Sequence, residues 1–234
     1  MERREYLESS IVRHGEVENI TTFMERGEKP NYETFLSYMN GEIDPPIDQE
    51  TTSELIKKRV EAGELRKSDF DVIISAPALR AKQTAMGIKE ITGSNAGIRT
   101  TDYLREVHIP MQTITSEFYA SASDLSVVRE KFLNSFFNGE KVDESVVDVF
   151  HRAQRFMEYL RKIKTLTSSK PLFVTHGIFA RFLRLAIDNE DRELNEDQIQ
   201  ELVKQDFHQT PRPGTVGGIK LASTKEGTKI VGTI

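Results

Sequence analysis

Ile11-Val12-Arg13-His14-Gly15 decides how this chain is read, together with its counterpart Leu172-Phe173-Val174-Thr175-His176-Gly177. Each is a short apolar run closed by a His-Gly pair. Runs of this length, rich in β-branched and aromatic residues and bounded by glycine, predict buried strands. Two imidazoles at the ends of such strands could meet at one edge of a sheet. In an open α/β sheet, the carboxyl edge is where ligands bind. One imidazole could attack there while the other stabilises charge, which suggests phosphoryl chemistry.

The pattern around these two stretches alternates strands with helices. Tyr6 to Val12 predicts a first strand. The polar segment Asn19 to Glu50, with Pro30, Gly41 and Asp44-Pro45-Pro46, reads mainly as loop, with a short helix near Tyr32 to Met39. Thr52 to Ala62 is helical and stops at Gly63. Asp71-Val72-Ile73-Ile74-Ser75 predicts a second strand, and Pro77 opens a helix that runs to about Thr92 before Gly93.

Further on, Ile98 to Leu104 is a third strand and Ser123 to Phe137 a helix. The clearest helix is Glu144 to Leu166. Its Val146, Val149, Phe150, Ala153, Phe156, Met157, Leu160 and Ile163 share one face. After the strand Leu172 to Thr175 come a helix carrying Phe179, Phe182, Leu183 and Ala186, then an acidic helix from Leu194 to Phe207. Val216 to Ala222 and Lys229 to Ile234 alternate like a hairpin around Glu226-Gly227. With no linker or repeat, this order predicts one α/β domain with helices on both faces of the sheet.

Composition narrows the function. The 234 residues suffice for one large domain, and a formal net charge of -5 argues against a general basic surface for nucleic acid or anionic lipid. An anionic substrate would need a local positive cluster. The chain has no cysteine, which excludes disulfides, thiolate catalysis and Cys-ligated zinc. Acidic residues in Met1-Glu2-Arg3-Arg4-Glu5, with no long apolar run behind them, do not fit a signal peptide, and no stretch approaches a membrane span. The expectation is a soluble cytoplasmic protein without membrane or nucleic-acid partners.

Two further stretches supply charge and acid. Ser75-Ala76-Pro77-Ala78-Leu79-Arg80-Ala81-Lys82-Gln83-Thr84-Ala85 sets Arg80 on the first turn of a helix that follows a strand. Helix N–H groups and a guanidinium both favour phosphate. Glu106, in Leu104-Arg105-Glu106, follows the third strand at the same predicted edge.

The four motifs together, in this order, resemble the histidine phosphatase superfamily, which includes the cofactor-dependent phosphoglycerate mutases. They are Val12-Arg13-His14-Gly15-Glu16 with Asn19, Ser75 to Ala85, Leu104-Arg105-Glu106 and Thr175-His176-Gly177. The resemblance implies one domain over 1–234, a three-layer α/β/α sandwich with a mostly parallel central sheet. Variable segments near 20–50 and 107–140 would cap the substrate. His14 would be the nucleophile that forms a phosphohistidine. Arg13 and Arg80 would clamp the phosphoryl oxygens, and His176 would donate a hydrogen bond to the same group. Glu106 would protonate the leaving oxygen and then activate water. Asn19 and Gly177 would line the phosphate site. No metal or cofactor is implied.

Gly177 stands where the acid-phosphatase and phytase branch carries aspartate. With Glu16, this favours the branch of mutases and small-molecule phosphatases. Val107-His108-Ile109-Pro110 departs from the mutase continuation, so a metal-independent phosphatase acting on a small phosphomonoester ranks above phosphoglycerate mutase-type transfer. A non-catalytic phosphate-binding scaffold is the alternative of another class. A metallohydrolase built on His14, His176 and Glu106 is disfavoured, because two flanking arginines repel a cation.

The remaining features carry plainer readings. His151 is read as structural, His208 as a loop residue, and His108 stays open between pocket and loop. Phe118, Tyr119, Phe132, Phe136 and Phe137 are read as helix packing ahead of an apolar lid. Gly214-Thr215-Val216-Gly217-Gly218 lacks the Gly-Lys-Ser/Thr ending of a phosphate-binding P-loop.

Overall fold

Strand β1 (Leu7–Arg13) lies between a parallel and an antiparallel neighbour, and that position organises the molecule. The computed structural model describes residues 7–15, 17, 29–39, 42–108, 114–139, 144–166, 170–209, 216–224 and 227–234. Six strands form one sheet in the order β3-β2-β4-β1-β5-β6. In it β2 is Val72–Ser75, β3 Gly97–Thr100, β4 Pro171–Thr175, β5 Gly218–Ser223 and β6 Thr228–Thr233. Strands β1 to β4 run parallel, and β5 and β6 add the expected antiparallel hairpin.

All five residues of β4 are buried, as a parallel strand covered on both faces must be. Helix α1 is Tyr32–Met39 and α2 Gln49–Glu61; α2 packs on α3 (Leu79–Thr92), which lies against β2 and β4. Helices α4 (Ser116–Ser121) and α5 (Leu125–Phe137) precede the long α6 (Val146–Leu166). Helix α6 packs on α7 (Gly177–Asp188) and α8 (Glu196–Gln209), and α7 lies against β1. The result is a three-layer α/β/α sandwich around a mostly parallel sheet.

The apolar stripe of α6 enters the core as its spacing predicts. Val146, Val149, Phe150, Ala153, Phe156, Met157 and Leu160 are all buried, and Phe156 meets Phe173 of β4 edge-on at 5.0 Å. Burying one such ring contributes about 1.5–3 kcal/mol. Phe136, Phe137, Phe182 and Phe207 form a second aromatic cluster between α5, α7 and α8. Phe136 and Phe137 are therefore packing residues. Tyr119 differs: its ring faces Tyr32 and Phe35 of α1.

Several boundaries differ from the sequence expectations, each for a local reason. The third strand stops at Thr100, and Asp102–Leu104 is a 3-10 turn whose cap is the Thr101 hydroxyl, accepting from the Tyr103 amide. The helix expected from Pro77 begins at Leu79. Ala78 has no side chain able to cap, and the Leu79 amide instead donates to Asp44. The helix expected from Ser123 begins at Leu125, where Asp124 Oδ1 accepts from the Val127 amide, and a short helix not expected from the sequence, Ser116–Ser121, precedes it. Helix α6 starts two residues late because Ser145 and Asp148 exchange hydrogen bonds in a capping box, leaving Glu144 outside. His208 sits in the last turn of α8, not in a loop, and His151 is exposed on α6.

No described helix is long and apolar enough to cross a membrane.

Candidate active site

Register alone brings the two His-Gly pairs together. In the parallel pairing of β1 and β4, Arg13 lies opposite Thr175, so the next residue of each strand is a histidine. The His14 amide donates to the Thr175 carbonyl at 2.9 Å, and the two rings stand 5.0 Å apart at 63°. Both are almost completely enclosed, at 6% and 1% exposure. The backbone of Arg13 is clamped in turn, its amide donating to Gly217 and its carbonyl accepting from Val216. Val216 holds a φ of 55° there, which is costly for a β-branched residue.

The protonation of His14 follows from its surroundings. Nδ1 lies 2.7 Å from the carbonyl of Gly15, an acceptor, so Nδ1 carries the proton and Nε2 keeps the lone pair. Burial first, then the charges of Arg80 and Arg13, lower its pKa from 6.5 to about 3. His176 is also pushed well down, mainly by burial and then by His14, Arg80 and Arg13. Two neutral imidazoles beside two guanidiniums form a site able to accept an anion without first losing a proton. The Nδ1 of His176 and the Nε of Arg80 are buried without a hydrogen-bond partner among the described residues. Buried polar atoms of this kind call for a hydrogen-bond partner.

Space is short at both glycines, severely at Gly15 and mildly at Gly177. A Cβ on Gly15 would lie 2.3 Å from Thr52 Oγ1, and one on Gly177 would lie 3.2 Å from Arg13 Nε. Gly177 thus leaves room for the Arg13 side chain across the top of the sheet.

Glu106 approaches from the end of β3. Its carboxylate accepts from the amides of Val107 at 3.0 Å, Phe179 at 3.1 Å and Ile178 at 3.4 Å. The last two belong to the first turn of α7, directly after His176-Gly177. Burial raises the Glu106 pKa, and the amides of Val107 and Phe179 oppose that rise. A carboxyl whose pKa is raised toward the working range is suited to giving up a proton and taking one back.

The structure thus brings Arg13, His14, Arg80, Glu106, His176 and Gly177 to one edge of the sheet. Arg80 carries a feature not foreseen: its Nη1 pairs with Asp44 Oδ1 at 3.0 Å. Asn19 lies outside the described residues. His108 is half-buried.

Four other residues also escaped the sequence reading. Thr84 Oγ1 accepts from the Gly15 amide at 2.9 Å and donates to the Arg80 carbonyl at 2.7 Å, tying the β1 turn to α3. Thr84 sits four residues after Arg80 on one helix face, a spacing that could have marked it. Asp44, Glu144 and Arg152 reach the region only through the tertiary fold.

Away from these residues in sequence, α1 and α4 pack together. Tyr119 donates to the Pro30 carbonyl at 2.7 Å, Tyr32 to the Ile114 carbonyl at 2.5 Å, and Lys29 Nζ to the Tyr119 carbonyl at 2.7 Å.

Comparison with known proteins agrees with this fold. A search of curated protein sequences finds no match. Among solved structures, phosphoserine phosphatase from Entamoeba histolytica, in complex with 3-phosphoglyceric acid, superposes with a TM-score of 0.58 at 13% identity. That match covers 97% of this chain and 96% of that one. Phosphoglycerate mutase from Bacillus anthracis gives 0.59 at 12% identity, over 98% and 93% of the two chains. Mycobacterial glucosyl-3-phosphoglycerate phosphatase gives 0.54 at 18% identity, over 97% and 98%. At such identities these likenesses establish the fold. The family comes from the sequence: the histidine phosphatase superfamily (branch 1) matches residues 10–201, a span containing both His-Gly pairs, Arg80 and Glu106, and the chain belongs to that superfamily.

Proposed function

We propose that this protein is a metal-independent phosphatase that hydrolyses a small phosphomonoester through a phosphohistidine on His14. The observation that carries this reading is the His14 ring: Nδ1 is committed to the Gly15 carbonyl, Nε2 is unprotonated, and the second imidazole stands 5.0 Å away.

In the first step His14 Nε2 forms a bond to phosphorus, and the bond to the ester oxygen breaks. Glu106 gives its proton to that oxygen as it leaves. In the second step water attacks phosphorus, Glu106 takes the water's proton, and the N–P bond breaks to release phosphate. Arg13, Arg80 and His176 donate to the equatorial oxygens in both steps. Phosphoryl transfer asks mainly for positioning and charge stabilisation, and fixed donors supply both. The packed pair α1 and α4 would cap the leaving group and set which esters fit.

The named structural relatives include two phosphatases, which favours hydrolysis, and a mutase of the same fold makes phosphoglycerates the first esters to try. The test is a phosphatase screen over sugar phosphates, nucleotides, phosphoamino acids and phosphoglycerates, with His14→Ala as blank. An acid-labile phosphoryl group should appear on the parent protein and not on the variant. Hydrolysis that persists in His14→Ala removes the mechanism. Efficient interconversion of phosphoglycerates without phosphate release would replace hydrolysis with transfer.

A further inference from the structure

Three consecutive carbonyls precede Glu106, and a side chain holds each of them. Arg152 Nη1 donates to Tyr103 O at 3.1 Å and to Arg105 O at 2.9 Å. Between them, Thr175 Oγ1 donates to Leu104 O at 2.8 Å. Tyr103 and Leu104 are the last two residues of the 3-10 turn and Arg105 follows it, so their carbonyls fall at its C-terminal end, where the turn's own bonds do not reach them.

Arg152 also touches a residue that holds the Glu106 carboxylate. Its guanidinium carbon stacks 4.0 Å from the centre of the Phe179 ring. Phe179 is the residue whose amide donates to Glu106 Oε1. One side chain on α6 therefore touches both the backbone leading into Glu106 and a residue that anchors its carboxylate.

Glu144 fixes Arg152 in this posture. The two form a bidentate pair, Nε to Oε1 at 2.7 Å and Nη2 to Oε2 at 2.9 Å, with Arg152 4% and Glu144 7% exposed. Arg105 Nη2 adds a contact to Glu144 Oε1 at 3.1 Å. A buried ion pair is weak evidence of stabilisation, since well-packed apolar residues of similar size often do as well. Its geometry matters more: a planar fork is locked at one end and directed at two carbonyls by the other.

We infer that Arg152, locked by Glu144, is a positioning residue that aims the Glu106 carboxyl at the leaving oxygen. The inference rests on the proposed acid role of Glu106 and names what holds that acid in place. Among the described residues, Arg152 contacts Glu144, the carbonyls of Tyr103 and Arg105 and the Phe179 ring, none of them a proposed phosphoryl ligand. Its loss should therefore spare attack by His14 and impair proton donation.

The test compares two probe esters in one preparation: 4-nitrophenyl phosphate, whose leaving group needs little protonation, and glycerol 2-phosphate, whose alkoxide needs it fully. In Arg152→Lys the kcat ratio of alkyl to aryl ester should fall by roughly 10- to 100-fold, since small misplacements of a general acid cost that much. KM for either ester should change little. Glu144→Gln, which frees the fork, should move the ratio the same way by a smaller factor. Because each ratio is taken within one sample, it does not depend on how much of the variant folds.

Glu106→Gln, run alongside, separates the two claims. If it lowers the ratio and Arg152→Lys does not, the positioning inference falls while the acid role of Glu106 survives. If Glu106→Gln leaves the ratio unchanged, or the parent protein turns over neither ester, the acid role falls and this inference with it. Equal losses on both esters in Arg152→Lys, with an unchanged ratio, would mark Arg152 as merely structural.

Discussion

Asp44 Oδ1 stands 3.0 Å from Arg80 Nη1, and its Oδ2 accepts the Leu79 amide at 2.5 Å. A carboxylate from the polar segment thus occupies the first turn of α3, the place the sequence marks for phosphate. Helix N-termini favour any anion, so Asp44 would compete with a phosphoryl group bound there for the same donors. Asp44→Asn should tighten competitive inhibition by inorganic phosphate, by up to about fivefold for a partly exposed pair of this kind. Weaker inhibition in the variant would show that Asp44 orients Arg80 and does not compete.

The pH dependence follows from His14 and Glu106. With its pKa lowered to about 3, His14 is already neutral throughout the physiological range. The kcat/KM for an alkyl ester, corrected for the ester's own ionisation, should stay flat on the acid side through pH 5. It should fall on the alkaline side as Glu106, raised by burial, gives up its proton. An acid limb near 6.5 would contradict a neutral, enclosed His14.

Acid should also unfold the protein through its histidines. His14 and His176 are held neutral when folded but bind protons near pH 6.5 once exposed. The unfolded chain therefore gains protons first, and stability present above pH 6.5 is lost as pH falls. Each imidazole contributes a slope of up to about 1.4 kcal/mol per pH unit. Glu106, with its pKa raised, acts in the opposite direction above its unfolded value, so the measurement belongs in Glu106→Gln. Urea midpoints at pH 7 and pH 5 should separate in that background and separate less after His14→Ala. Equal separation with and without His14 would count against its depressed pKa.

Gly177→Ala should divide activity from stability. The added Cβ lies 3.2 Å from Arg13 Nε, so that side chain must shift by a few tenths of an ångström. Turnover should fall about tenfold or more, because misplaced donors to a transition state are expensive. The melting temperature should hold or rise, since alanine suits a helix better than glycine by roughly 0.5–1 kcal/mol. A parallel loss of both would show that the tight contact is part of the fold's own packing.

The residues that form the sheet edge were legible because periodicity and local chemistry specify them. Buried parallel strands need unbroken apolar runs, so β2 and β4 could be recognised in the sequence, and the face of α6 followed from helical spacing. Boundaries were less legible where a cap comes from far away: nothing near Pro77 announces that Asp44 will cap Leu79. Glu144 looked like the start of a helix because its neighbours share the helical pattern, yet the capping box of Ser145 and Asp148 frees it to hold Arg152.

The sequence by itself determined which side chains end the strands, His14 and His176, and that a glycine follows each. Composition and pattern also determined the layered α/β architecture, because burying an apolar strand on both faces leaves few alternatives. Only the tertiary structure decided that Arg13 pairs with Thr175 in register and so sets the two rings 5.0 Å apart. It alone decided that Asp44 meets Arg80 and that Arg152 holds the approach to Glu106. Strand register and long-range side-chain pairing depend on the packing of the whole chain, which no local stretch encodes.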